Sequence, residues 1–210
     1  MKTFTTALTA TLAVSTLAAG GAAFADDSAL AIGAKIPMAD AKIKSATDGK
    51  EITLAKAAGK KGTLVVFTCN HCPYAMAWEQ RIVELGNTYS KKGIGVVLIN
   101  SNDPNSATKN DTFEATQQRA KERGMQFAYA MDDKSAIAKA FGAQKTPEAF
   151  LFDQSGKLVY HGTIDDNHED ATKVEKRYLK DAMESVLTGK APAVKETKSL
   201  GCGIKFAKVS

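Results

Sequence analysis

Cys69-Asn70-His71-Cys72-Pro73 is the run in this 210-residue chain whose residue types and spacing can do chemistry. Two thiols separated by two residues can close to a disulfide and open again. The apolar run before them, Thr63 to Thr68, reads as a buried strand, and Pro73 to Lys92 reads as a helix. Sulfurs at such a junction lie near the unpaired N–H groups and the positive dipole end of the helix, which favour a thiolate. The thiolate is the nucleophile of disulfide exchange, so the position is itself part of a mechanism. Cys69 is expected to attack and Cys72 to resolve the mixed disulfide. His71, as an imidazolium, would lower the pKa of a neighbouring thiol, stabilise the reduced form and make the couple more oxidising. The competing reading is a metal half-site. A structural zinc site takes four ligands, and no second Cys/His pair at close spacing exists, so no metal is expected.

The surrounding elements must hold this run in place. Pro73 suits the first helical position, and Ala75, Trp78, Ile82, Leu85 and Tyr89 recur at spacings of three and four, one apolar stripe. Gly93 ends the helix and Ile94 to Asn100 is a second buried strand. Before the site, Lys42 to Leu54 around Asp48-Gly49-Lys50 reads as a hairpin and Ala55 to Gly59 as a short helix. After a polar loop at 101–112, Asp111 would cap a helix from Thr112 to Arg123, with Glu114 in the capping-box place. Phe127 to Met131 reads as a strand and Lys134 to Phe141 as a helix stopped by Gly142. Glu148 to Phe152 and Leu158 to His161 form a hairpin across Asp153-Gln-Ser-Gly156. His168 to Leu187 reads as a closing amphipathic helix, and the last 20 residues carry no helical period. Alternating βαβ units call for parallel strands, and the hairpin adds antiparallel ones: an α/β fold with a mixed central sheet covered by helices on both faces.

Residues 1–25 read as an address. Lys2 is the positive start, Ala7 to Ala19 a short apolar stretch, and Ala23-Phe24-Ala25 a small-x-small cleavage site. Cleavage after Ala25 would leave 185 residues, one domain over 26–190 and a tail over 191–210 carrying Cys202. No membrane span is expected after processing. The location implied is the periplasm or beyond, where disulfides persist and a Cys-x-x-Cys pair is set by dedicated partners. The processed chain has 27 basic against 23 acidic residues, interspersed, without an Arg-rich stripe, which speaks against nucleic acid. Nothing indicates nucleotide, flavin or haem, and no cofactor is expected. His161 and His168 read as surface or strand-end residues. The third cysteine, Cys202, is either a lone thiol on a mobile tail or a disulfide partner for Cys69, Cys72 or another molecule. Gly201 and Gly203 beside it permit a tight approach.

Leu64-Val-Val-Phe67, Cys69-Asn-His-Cys72-Pro73, Lys145-Thr146-Pro147-Glu148 and the Asp153-Gln-Ser-Gly156 hairpin together resemble the thioredoxin superfamily over roughly residues 30 to 188. The insertion between 101 and 124 and the Asp48-Gly49-Lys50 hairpin are similar to its exported, peroxiredoxin-like (redoxin) branch. Gly201-Cys202-Gly203-Ile204-Lys205-Phe206 resembles the tail of a subgroup that keeps Cys-x-x-Cys. The resemblance implies a thioredoxin-like fold and a cis Pro147 in a loop facing the dithiol, with Thr146 and Pro147 binding an extended substrate chain. The sequence departs from the family pattern at three places: Thr68 for Trp, Asn70-His71 for Gly-Pro, and Val66 for a buried acid. Glu79 and Glu148 are the nearest candidates to relay a proton to Cys72.

Three activities fit these residues. The first is an exported thiol–disulfide oxidoreductase using Cys69 and Cys72 on protein or small-molecule disulfides with a redox partner protein. The second is a peroxiredoxin-like thiol peroxidase, an antioxidant activity in which Cys72 would be the peroxidatic residue; Cys69 then stands where that family has a threonine. The third is a copper-binding thioredoxin-fold protein. Two thiolates and an imidazole suit Cu(I), but copper-delivery relatives use a three-residue spacer and a distant histidine, a role left to His161.

Overall fold

The computed structural model describes Met1 and residues 29–105 and 109–208; the expected leader, Met1 apart, lies outside them. In chain order the elements are β1 (Ile43–Ser45), β2 (Glu51–Ile52), α1 (Leu54–Ala57), β3 (Gly62–Thr68), α2 (Pro73–Lys91), β4 (Ile94–Asn100), α3 (Phe113–Glu122), β5 (Ala128–Met131), α4 (Ala136–Phe141), β6 (Lys145–Thr146), β7 (Glu148–Asp153), β8 (Leu158–Gly162), α5 (Tyr178–Leu187) and β9 (Cys202–Gly203). Seven strands form one sheet in the order β2-β1-β5-β4-β3-β7-β8, while β6 and β9 pair separately. β3 is parallel to β4, and β4 to β5; β7 and β8 join β3 antiparallel, and the β1–β2 hairpin closes the other edge antiparallel. This is the thioredoxin-like α/β fold with a mixed sheet that the alternation of elements predicts. No helix of the described residues is long and apolar enough to cross a membrane.

The period of two along β3 splits the core. Leu64 and Val66 face one side, with Val96 and Leu98 of β4, and are covered by Trp78, Ile82 and Val83 of α2 and by Leu179, Met183 and Val186 of α5. Val65 and Phe67 face the other, with Val97, Ile99 and Phe150, under Leu54 of α1 and Ile137 and Phe141 of α4. Phe141 meets Phe67, Phe150 and Phe152 edge to face at centroid distances of 5.1, 5.3 and 5.9 Å. Fully burying each such ring stabilises the fold by about 1.5–3 kcal/mol. The end of β3 that leads into Cys69 is thus clamped from both faces.

Two expectations are corrected. The helix expected from His168 begins only at Tyr178; a single 3-10 turn, Ala171–Lys173, precedes it. Side chains in 165–170 take the amides a helix would use: Asn167 Oδ1 accepts from Glu169 N and Asp170 N, Asp170 Oδ1 from Thr172 N, and Asp166 Oδ1 from Glu175 N. Asp165 is held by Trp78 Nε1 at 2.7 Å and Arg81 at 2.6 Å, which ties the segment to α2 instead. The second correction concerns α3. Its cap is Thr112, whose hydroxyl accepts Ala115 N at 3.2 Å, and Asp111 is withdrawn into the interior.

Residues 191–208 contain no helix but do not hang free. Thr197 Oγ1 accepts Thr163 N at 2.9 Å, Ile204 is buried, and Lys205 N reaches Asn102 Oδ1 at 2.8 Å. The closing segment is a strap across the end of the sheet that carries the cysteines.

Candidate active site

β3 ends at Thr68 and α2 starts at Pro73, so the four residues between form a short turn at the C-terminal edge of a parallel strand pair. Cys72 is the N-cap of α2 and is fully buried; Cys69 is 5% exposed. Neither is in a disulfide. Thr146 at the end of β6 touches both sulfurs: its hydroxyl lies 3.4 Å from Cys69 Sγ, and its carbonyl accepts the Cys72 thiol at 3.0 Å. The Thr146–Pro147 bond is cis. The structure therefore brings Cys69, Cys72, Thr146 and Pro147 together as expected. It also adds Cys202, which packs with Tyr74 against the group formed by Cys69, Cys72 and Ala75.

The two thiols are coupled: their mutual interaction raises the Cys69 pKa and lowers that of Cys72 well below the ordinary thiol range. The Cys202 thiol and the Ala75 N–H at the helix start add to the lowering of Cys72. Burial and the Asp111 charge hold Cys69 up further. The coupling thus favours ionisation of one member of the pair over both, and the Thr146 carbonyl is in place to accept the Cys72 S–H. Titration of thiolate absorbance in the reduced Cys202→Ser protein is expected to show a single ionisation with its midpoint below pH 7. Ordinary behaviour, with both thiols ionising near pH 8.5, would contradict the coupling.

Asp111 is the functional residue that sequence reading missed. Its carboxylate is fully buried and accepts Asn70 N, Asn100 Nδ2 and Asn102 Nδ2, each at 2.9 Å. His71 Nδ1 sits 2.6 Å from its Oδ2, a charge contact when the ring is protonated and not an aligned hydrogen bond. An imidazolium at His71 is thus paired with an acid, which offsets the tuning of the thiols expected from His71 alone. Asn70 extends the network: its Nδ2 donates to Asn110 O and Thr116 Oγ1, and its Oδ1 accepts Tyr129 OH at 2.9 Å. Burial raises the Tyr129 pKa strongly, so that hydroxyl remains a donor. The only advance signal was the polar cluster Asn100, Asn102, Asn110 and Asp111, which is unusual beside a buried strand.

The proposed proton relays are otherwise engaged. Glu79 is clamped by Arg119 at 2.5 Å and Arg123 at 2.5 Å, pinning α3 to α2. Glu148 Oε2 accepts Gln144 N and Lys145 N at 2.7 and 2.9 Å, so it shapes the loop before Pro147. Burial opposes its charge, but those amides and His161 hold its pKa below the usual carboxylate value. His161 Nε2 lies 2.7 Å from Glu148 Oε1 and its ring stacks on Phe150, which commits it to the loop and leaves the copper-ligand role unsupported. His168 packs against Tyr74 and Trp78. Ligand atoms of Cys69, His71 and Asp111 lie within 4.8 Å of one another. A cation there would have to compete with three amide N–H groups already donating to Asp111.

A dithiol at the end of the first parallel strand, under a cis-proline loop and a helix N-terminus, defines a thioredoxin-like redox protein. The family model described as Redoxin matches residues 31–177, and the chain belongs to that family. The family places it among thiol oxidoreductases and peroxidases. A hypothetical protein of Sinorhizobium meliloti 1021 is similar at 32% identity, with a TM-score of 0.78 over 86% of this chain and 97% of that one. An uncharacterized conserved protein of Geobacillus kaustophilus is similar at 31% identity, TM-score 0.79, over 86% and 94%. A thioredoxin-like protein solved in its oxidized form shares the fold at 17% identity, TM-score 0.58, over 76% and 97%. No curated protein matches the chain significantly.

Proposed function

We propose that the protein is an exported thiol–disulfide oxidoreductase working through a Cys69/Cys72 dithiol–disulfide couple. The observation that carries this reading is the placement of both cysteines in the β3–α2 turn, with Thr146, the residue before the cis Pro147, contacting both sulfurs. Cys69 thiolate attacks one sulfur of a substrate disulfide; the new Cys69–substrate bond forms as the substrate S–S bond breaks, and the leaving sulfur takes a proton. Cys72 gives its proton up and attacks Cys69 sulfur, closing the Cys69–Cys72 bond and releasing the second substrate thiol. Run backwards, the same steps oxidise a dithiol. Export rests on the basic, apolar and small-residue pattern of residues 1–25. Substrates are disulfides of proteins or small molecules, and a redox partner protein resets the couple. Beside the cysteine turn, His71 and Met76 border a cleft of about 440 Å³ also lined by Asn70 and Arg119. Met76 is 49% exposed, a soft apolar contact for a partner chain.

A second reading has one observation in its favour. The lowered thiol is Cys72, at the start of α2, where a peroxidatic cysteine would stand. Two assays on one preparation separate the readings. The oxidoreductase is expected to reduce insulin disulfides with dithiothreitol as donor and to consume hydrogen peroxide no faster than free cysteine. Fast peroxide consumption that survives Cys69→Ser but is lost in Cys72→Ser would assign the peroxidase instead.

A further inference from the structure

Thr146 presents its backbone edge beside the two sulfurs, the place where an extended chain would add as a strand. That edge is already occupied. β9 pairs antiparallel with β6, and Cys202 is opposite Thr146 and Gly203 opposite Lys145. The approach is too close for any side chain at position 201: a Cβ on Gly201 would stand 2.3 Å from Thr146 O and 2.7 Å from its carbonyl carbon. The strand is fixed beyond both ends. Upstream, Ser199 Oγ reaches Glu148 Oε1 at 3.3 Å, and Thr197 N donates to His161 O at 3.0 Å. Downstream, Ile204 N donates to Gln144 O at 3.0 Å and Lys205 N to Asn102 Oδ1 at 2.8 Å. A two-residue ladder with anchors this close on either side sets the position of Cys202 beside Thr146 and against the Cys69/Cys72 group. Cys202 packs against the group that Cys69 and Cys72 form with Ala75, and both Cys69 and Cys202 lower the pKa of Cys72.

We propose that Cys202 is a third exchange thiol of this site, held by β9 where an incoming substrate cysteine would lie, and that it takes over Cys72 sulfur once Cys69 and Cys72 are joined. The inference rests on the Cys69/Cys72 couple proposed above. A substrate disulfide supplies the oxidation by closing the Cys69–Cys72 bond. Cys202 loses its proton to solvent and attacks Cys72 sulfur. The Cys72–Cys202 bond forms, the Cys69–Cys72 bond breaks, and Cys69 leaves with the electron pair and takes up a proton. No net oxidation occurs; one disulfide has moved. Burial and the facing Cys72 raise the Cys202 pKa to about 11 in the reduced protein. When Cys72 is bonded to Cys69 its charge is gone, while Lys205 and Lys145 continue to favour the Cys202 thiolate. The move frees Cys69 and puts the disulfide on the most accessible of the three sulfurs, since Cys202 is only partly buried. An external dithiol then reduces the protein by attacking Cys202, so donor and substrate use different sulfurs.

Trypsin makes the test direct, because Cys69 and Cys72 fall on one peptide, Gly62–Arg81, and Cys202 on another, Ser199–Lys205. The reduced full chain is treated with one equivalent of glutathione disulfide, quenched in acid, alkylated, digested without reductant and weighed. A cross-linked pair of these peptides from monomeric protein is expected in part of the wild-type chains and in nearly all chains of the Cys69→Ser variant. The proposal is overturned if Cys202 is fully alkylated while the Cys69–Cys72 bond forms, or if the cross-link is found only in a covalent dimer. Absence of every disulfide among the three would instead remove the Cys69/Cys72 couple, and this inference with it.

Discussion

Cys69→Ser and Cys72→Ser are each expected to lower disulfide-reductase turnover by about 10³-fold or more, the scale on which loss of one member disables a catalytic unit. The comparison is made in a Cys202→Ser background so that the third thiol cannot substitute. The two variants should fail differently. Cys69→Ser leaves the fully buried Cys72 as the remaining thiol of the pair, so no mixed disulfide with insulin accumulates. Cys72→Ser keeps the less buried Cys69 but removes the resolving sulfur, so a stable mixed disulfide builds up and can be isolated. Full turnover in either variant would contradict a two-sulfur mechanism. The distinction follows from burial and position: Cys69, at the end of β3, is the less buried of the two at 5% exposure, while Cys72 caps α2 and is fully buried.

Asp111→Ala is expected to cost about 3–5 kcal/mol of folding stability, the range for breaking a buried charged network from one side. Three donors, Asn70 N, Asn100 Nδ2 and Asn102 Nδ2, would lose their acceptor in a fully buried setting, and His71 would lose the carboxylate 2.6 Å from its Nδ1. Total domain stabilities are about 5–15 kcal/mol, so the loss is a large fraction. Urea unfolding of the reduced proteins measures it, with Asp111→Asn expected to lose less because an amide oxygen still accepts. A change in unfolding free energy below about 1 kcal/mol for Asp111→Ala would show that the network is not load-sharing in this sense. The network joins the cysteine turn to the ends of β4 and β5 and, through Asn102, to the strap at Lys205. Its loss should therefore loosen Cys202 as well as Cys69.

The site was legible from the sequence where chemistry is local. The spacing of Cys69 and Cys72, Pro73 at the first helical position and the apolar alternation of β3 each state their own consequence. The same holds for α2, whose stripe faces the core as its spacing predicts. What the sequence concealed depends on partners far along the chain. Asp111 looks like a helix cap because Asp beside Thr112 is a capping signal; only the fold brings Asn70, Asn100 and Asn102 to it. The 168–177 stretch has helical period, yet Asn167 and Asp170 bond their own backbone, and Asp165 is drawn to Trp78 and Arg81. The strap has no periodicity to read, since its order comes from the two-residue β6–β9 ladder, a bridge to His161, close glycine contacts and scattered backbone and side-chain anchors. Gly201 and Gly203 around Cys202 were the one local hint, and the Thr146 backbone against Gly201 is its physical meaning.

The most direct test equilibrates the full chain in dithiothreitol buffers graded from reducing to oxidising, traps free thiols by alkylation in acid and weighs the tryptic Gly62–Arg81 peptide. In the Cys202→Ser protein, Cys69 and Cys72 are predicted to lose their reactivity together, in one reversible two-electron step. Two thiols that stay alkylatable at every buffer ratio, or that disappear independently of each other, would contradict a Cys69/Cys72 redox couple.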